Sequence, residues 1–90
     1  MRLDKFMKVS RIIKRRTVAN EACDQGRVTL NGRVAKAGTE VKPGDKLTLR
    51  LGSREIDYEI LDVKEHVQKA GADELYRQIA VREINPGAEG

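Results

Sequence analysis

Seven cations crowd the first sixteen residues: Arg2, Lys5, Lys8, Arg11, Lys14, Arg15 and Arg16, with Asp4 the only acid among them. The chemistry open to such a set is the electrostatic capture of a polyanion, and nucleic acid is the commonest cellular example. The rest of the chain does not share the excess. Residues 1–16 carry a net +6, residues 17–36 add +1, and residues 37–63 and 64–90 contribute −2 and −1, returning the whole-chain value of +4. A charge run on a helix is often only a solvated face. Concentration of this charge at one end, immediately before a helix start and a hairpin signal, argues for a binding surface instead.

Catalytic chemistry lacks parts. His66 is the single histidine and stands in a weakly patterned stretch; no nucleophile motif accompanies it, and no glycine loop with its lysine is present to cradle a phosphate. Asp57, Glu59 and Asp62 are spaced as the outer face and end of a strand, not as a catalytic carboxylate pair or metal cluster. Cys23 is the only cysteine. It forms no internal disulfide or zinc site by itself, suits a reducing compartment, and is expected to pack as a small hydrophobe. No metal, nucleotide or small-molecule cofactor is expected, and the protein is not expected to be an enzyme.

These residues must be positioned by a small domain. Ninety residues with 36% charge, one Phe, two Tyr and no Trp support a modest aliphatic core and leave little room for a deep pocket. Stacking of unpaired bases on Phe, Tyr or Trp is therefore not the main mode of recognition. No apolar run approaches a membrane span and the start is charged, so a soluble, cytoplasmic protein with no membrane partner is expected.

Read at 100° per residue, residues 2–14 put Leu3, Phe6, Met7, Ser10 and Ile13 on one helical arc, with Arg2, Lys5 and Lys8 opposite. Ile12 falls off that arc, which predicts distortion of the last turn. Thr17 is a candidate cap for a second helix whose stripe is Val18, Ala19, Ala22 and Cys23, ended by Gly26. Asn31-Gly32 lies between β-rich runs and predicts a tight hairpin. Pro43-Gly44 predicts a turn, followed by a strand through Leu47, Leu49 and Leu51, a Gly52-Ser53 turn, and a returning strand through Ile56, Tyr58 and Ile60. Lys46, Thr48 and Arg50 then share the outer face with Glu55, Asp57 and Glu59, where opposite charges pair and no RNA role is assigned. Residues 72–81, "ADELYRQIAV", predict a short C-terminal helix with Leu75, Ile79 and Tyr76 inward; the ending "NPGAEG" predicts disorder. The expected class is α+β: two packed N-terminal helices, a small antiparallel sheet and a short C-terminal helix. The division is a domain over 1–63 that carries the cationic surface, and a C-terminal helix with flexible tail over 64–90.

The stretch "MRLDKFMKVSRIIKRRTVANEACDQGRVTLNGRVAK", followed by "VKPGDKLTL", resembles the RNA-binding domain named after small-subunit ribosomal protein four. Arg2-Leu3-Asp4, the basic turn before a short helix ending in Gly26, the "VTLNG" hairpin and Val41 to Asp45 carry the resemblance, in that order, over roughly residues 1–62. With "RLDKFMKVSRIIKRRT" and "ADELY", the chain is similar to the stand-alone bacterial family called RqcP, relatives of heat-shock protein fifteen. The resemblance implies a cytoplasmic, ribosome-associated factor of bacterial quality control. Such a factor binds stalled large ribosomal subunits carrying peptidyl-transfer RNA, steadies that transfer RNA in the P site, and acts beside an alanine-tailing partner protein that recruits alanyl-transfer RNA. It further implies contacts of Arg2 and Arg16 to large-subunit ribosomal RNA and transfer RNA, with Lys5, Lys8, Arg11, Lys14 and Arg15 as surrounding phosphate contacts. Asp4 would orient the basic side chains. Two departures from the broader pattern stand here: Arg15-Arg16 replaces Ser-Arg, and Asn20 replaces a basic residue, leaving an amide to bond a phosphate or 2′-hydroxyl. A monomer is expected.

Three other readings compete. A heat-shock-type recycling factor would bind the same subunits without supporting tailing, and a general structured-RNA module would bind without that target. A lipid- or protein-binding module is a third, but the apolar arc of the first helix is needed for the core and brings no Trp to a membrane. Double-stranded RNA is read through shape, phosphates and 2′-hydroxyls, and an Arg fork grips two phosphate oxygens at once. With about six phosphates neutralised, affinity for structured RNA should fall by roughly three to five orders of magnitude between low and moderately high salt, by analogy with duplex DNA. Equilibrium binding across a salt series checks this; a flat profile would contradict a phosphate grip.

Overall fold

The computed structural model describes residues 1–83. Two helices, α1 (Leu3–Val9) and α2 (Arg16–Asp24), precede strands β1 (Val28–Leu30), β2 (Arg33–Val34), β3 (Lys46–Leu51) and β4 (Arg54–Ile60). A 3₁₀ helix over Lys69–Leu75 then leads into β5 (Tyr76–Glu83). The strands form one antiparallel sheet in the order β2-β1-β3-β4-β5. The α+β class is as expected.

The first helix is shorter than its periodicity predicts. It stops at Val9, and Arg11 adopts a left-handed φ of 63°. The amide of Ile13 then donates to the carbonyl of Met7 at 3.1 Å, which returns Ile13 to the core. The start of α1 is held by the loop after β2: Leu3 N–H donates to the Thr39 carbonyl at 2.8 Å and Asp4 N–H to the Ala37 carbonyl at 3.1 Å. These bonds satisfy amides that a helix start leaves open. Thr17 does not cap α2. That helix begins two residues earlier than a Thr17 cap implies, with Arg15 in the extended N-cap position and no side-chain cap. Val18 leaves the predicted stripe and is 45% exposed, whereas Ala19, Ala22 and Cys23 are buried. Gly26 closes the helix at φ 73°, a conformation that glycine adopts without a Cβ penalty.

Leu3, Phe6, Met7 and Ile13 pack with those small α2 residues onto the inner face of the sheet, against Val28, Leu47, Leu49, Tyr58 and Ile60. The predicted hairpin forms with Asn31 and Gly32 at φ 53° and 84°, the positive pair a two-residue turn of this kind requires. Asn31 also clasps the next turn. Its Nδ2 donates to Asp45 Oδ1 at 3.0 Å, and its Oδ1 accepts from the Lys46 amide at 2.9 Å.

The β3–β4 pair has the predicted outer face, with Lys46 opposite Glu59, Thr48 opposite Asp57 and Arg50 opposite Glu55. Leu51 is not core; it is exposed near the hairpin end. The helix predicted over residues 72–81 is corrected: only the 3₁₀ helix precedes Tyr76, and Tyr76–Glu83 is a strand paired to β4. Asp57 pairs with Ala80 and Tyr58 with Gln78, so Ile79 is the extra residue of a bulge. Arg82 fixes the strand beyond that bulge, donating to Asp57 at 2.8 and 2.9 Å and to Glu55 at 2.6 Å. That guanidinium, against the opposing effect of burial and with help from Thr48, holds the Asp57 carboxyl well below the usual carboxylate range. Tyr76 meets Tyr58 edge to face at 5.2 Å. The ending "NPGAEG", predicted disordered, lies outside the described residues.

Arg11 is exposed and takes a backbone conformation that costs a residue with a Cβ about 1–2 kcal/mol. Arg11→Gly relieves that strain while adding chain entropy to the unfolded state, so its stability should be unchanged or higher by up to about 1 kcal/mol. A denaturant midpoint clearly below the parent's would show that the Arg11 side chain contributes to folding.

Candidate nucleic-acid interface

The basic face is organised around one carboxylate. Asp4 lies in the first turn of α1 and is 1% exposed, a position that demands partners for an ionised group. It has four. Arg2, at the N-cap of α1, donates from Nε to Oδ1 at 3.2 Å and from Nη2 to Oδ2 at 3.4 Å. Arg16, first residue of α2, donates from Nε to Oδ2 at 3.1 Å and from Nη2 to Oδ1 at 3.4 Å. Asn20, one turn along α2, donates from Nδ2 to Oδ2 at 2.8 Å, and the Lys5 amide donates to Oδ1 at 2.8 Å. Burial alone would push the carboxyl up, but the bonds from Arg16, Arg2, Asn20 and Lys5 outweigh it and hold Asp4 below its usual value.

This arrangement aims two cations at once. The Arg2 and Arg16 side chains remain 56% and 44% exposed although each rests on a buried acid. Each uses Nε and one hydrogen-bonding direction of Nη2 on Asp4, so Nη1 is left without an acceptor among the described residues. Two guanidiniums with fixed stems and open forks suit phosphate oxygens on adjacent nucleotides. The antiparallel bridge between Arg2 and Glu40 fixes the Arg2 backbone.

The other predicted residues divide. Lys8, Arg11, Lys14 and Arg15 are exposed and have no carboxylate partner among the described residues. Lys5 is not free; its ammonium pairs with Glu65. Asn20 turns to Asp4 and to the Arg16 carbonyl at 3.3 Å, so its amide nitrogen serves the clamp. Glu65 carries no signal in the sequence that ties it to this face. Glu65 is sixty residues from Lys5, and no local pattern announces such a pair.

A family model described as the S4 domain matches residues 1–47. A protein of Halalkalibacterium halodurans named RQC P-site tRNA stabilizing factor is 62% identical over 76 residues, covering 84% of this chain and 86% of that one. A protein of the same name from Bacillus subtilis is 51% identical over 76 residues, covering 84% of this chain and 88% of its own. Among solved structures, the trimeric structure of heat shock protein 15 from Vibrio cholerae superposes with a TM-score of 0.81 at 33% identity, covering 89% of this chain and 82% of that chain.

Asp4→Asn keeps the shape but presents an amide to guanidiniums that need an acceptor. With both arginines half exposed and able to rehydrate, the change should cost about 1–3 kcal/mol of stability at neutral pH. Because the folded-state pKa of Asp4 is lowered, its contribution is complete above the ordinary value of 3.8 and is lost as pH falls through the folded value. Denaturant midpoints of parent and variant should therefore differ at pH 7 and converge in strong acid; a constant gap across that range would remove the ionised clamp from the account.

Proposed function

The chain belongs to the S4-domain family and, within it, to the RQC P-site tRNA stabilizing factors, and from that premise we propose that it is a non-catalytic RNA-binding factor of bacterial ribosome-associated quality control. It binds obstructed large ribosomal subunits that carry peptidyl-transfer RNA, contacts large-subunit ribosomal RNA, and steadies the transfer RNA in the P site. A partner protein that recruits alanyl-transfer RNA then extends the stalled nascent chain with alanine. The observation that carries this reading is the pair of half-exposed arginines held on one buried carboxylate.

Arg2 and Arg16 grip phosphate oxygens through their open Nη1 sides, with Lys8, Arg11, Lys14 and Arg15 neutralising the neighbouring backbone. Lys5 keeps its pair with Glu65 and turns its remaining ammonium hydrogens to phosphate, and Asn20 acts through Asp4. Preorganisation matters for such a function: side chains already ordered lose less entropy on binding, and a stabilising factor works by favouring one placement of a large ligand over others. Similarity to heat shock protein 15 supports a second reading, recycling of the same subunits without tailing.

Sedimentation with purified large subunits, with and without peptidyl-transfer RNA, tests the proposal at fixed salt, paired with an alanine-tailing reaction. The parent should pellet with the obstructed subunits, and Arg16→Ala should weaken that binding about tenfold, as expected for loss of one charge-assisted contact. Omitting the protein should reduce tailing. Equal binding to empty and obstructed subunits would overturn the P-site assignment, and tailing that proceeds equally well without the protein would favour recycling.

A further inference from the structure

A cleft of about 460 Å³ opens beside α1, lined by Lys8, Val9, Arg11 and Lys14 from the basic segment and by Glu65, His66 and Val67 from the chain after β4. It adjoins the Asp4 clamp through Lys5, which follows Asp4 in α1 and whose ammonium holds Glu65 of the far wall. Lys8, Arg11 and Lys14 bring three cations without a carboxylate partner among the described residues. The one acid in the lining, Glu65, already has its charge engaged by Lys5. Val9 and Val67 are packed on the core and supply a fixed apolar surface.

Size and lining together select the ligand. Sites for small organic molecules begin near 300 Å³, so a single nucleotide fills this cleft, whereas a bare phosphate would leave the valine surface uncovered. Backbone strain points to the same place. Arg11 holds φ 63°, where glycine or asparagine would sit more easily, and its exposed side chain lines the cleft. Residues held in sparsely populated conformations cluster at binding sites.

We propose that the cleft receives one unpaired nucleotide extruded from the RNA held by the clamp. Its phosphate lies among Lys8, Arg11 and Lys14, its sugar and base lie against Val9 and Val67, and the His66 ring stacks on the base. Imidazole and guanidinium planes both stack on bases released from a helix. The inference rests on the RNA-binding reading above. It adds a local preference to a surface that otherwise reads only phosphates: RNA with a bulge or an unpaired junction nucleotide is favoured over an unbroken duplex.

Two RNA hairpins test it, identical except that one carries a single bulged 2-aminopurine, each titrated with the full chain at one salt concentration. The parent should bind the bulged hairpin about tenfold more tightly, the size of one base-stacking contact, with a change in 2-aminopurine fluorescence on saturation. Arg11→Gly, which relieves backbone strain, and His66→Ala should each remove most of that difference, whereas Arg16→Ala should weaken both hairpins alike. Equal parent affinity for the two hairpins would overturn the cleft assignment and leave RNA binding standing. A preference that survives both Arg11→Gly and His66→Ala would also overturn it. Absence of binding to either hairpin would overturn the RNA-binding reading and the cleft with it.

Discussion

The buried carboxylate of Asp4 is the interaction on which the basic face depends. Two guanidiniums brought to one place repel each other, and long side chains left free on a surface sample many rotamers. Asp4 opposes both tendencies. It accepts from Arg2 before α1, from the Lys5 amide inside α1, and from Arg16 and Asn20 on α2. The same group therefore joins the helices and aims the arginines, so the packing of α1 on α2 and the aim of the arginines share one set of bonds. Asn20 shows how a neutral residue serves a charged site: a third cation on Asp4 would add repulsion without adding an acceptor, whereas the amide donates a hydrogen and brings no charge.

Charge is handled differently on the sheet. Arg77 pairs with Glu59, and Arg82 with Asp57 and Glu55, while Lys46 stands 3.5 Å from Asp57. Across that face positive and negative groups alternate between neighbouring strands and largely cancel. Over the helical segment only three of the seven cations are paired, Arg2 and Arg16 with Asp4 and Lys5 with Glu65. The electric field of a protein with a net charge of only +4 is thus confined to one side, which orients an approaching polyanion as well as attracting it. Arg82 has a second part in this division, since the contacts that neutralise Asp57 also hold the edge strand in register after the bulge.

What was legible in the sequence is what is decided locally. Asn31-Gly32 and Gly52 need positive φ, and strict alternation in "KLTLRL" and "REIDYEI" fixes which residues face outward. The clustered cations were legible for the same reason. The last strand was not. Leu75 and Ile79 stand four residues apart and imitate a helical face, while the bulge at Ile79 breaks the two-residue period that would have announced a strand. Its register depends on Asp57 and Glu55, more than twenty residues earlier. The partner of Asn20 across the helix pair lies sixteen residues away, so its local sequence shows only an amide on a helix surface. The cleft wall of Glu65, His66 and Val67 is set by how the chain returns after β4, and no short window contains that information.

The break in the first helix connects these observations. A continuous helix would place Arg16 about 18 Å along the axis from Asp4, at 1.5 Å for each of the intervening steps. The observed separation between Nε of Arg16 and Oδ2 of Asp4 is 3.1 Å. The left-handed residue at Arg11 and the Ile13-to-Met7 bond fold the chain back over that distance, with Ile13 returned to the core as the anchor. Burial of Ile13 and the ion pairs at Asp4 offset the strain, so the irregular turn is a condition of the site. The unfavourable dihedral, the early end of α1 and the exposed run Lys14-Arg15-Arg16 are three consequences of bringing the start of α2 onto the first turn of α1.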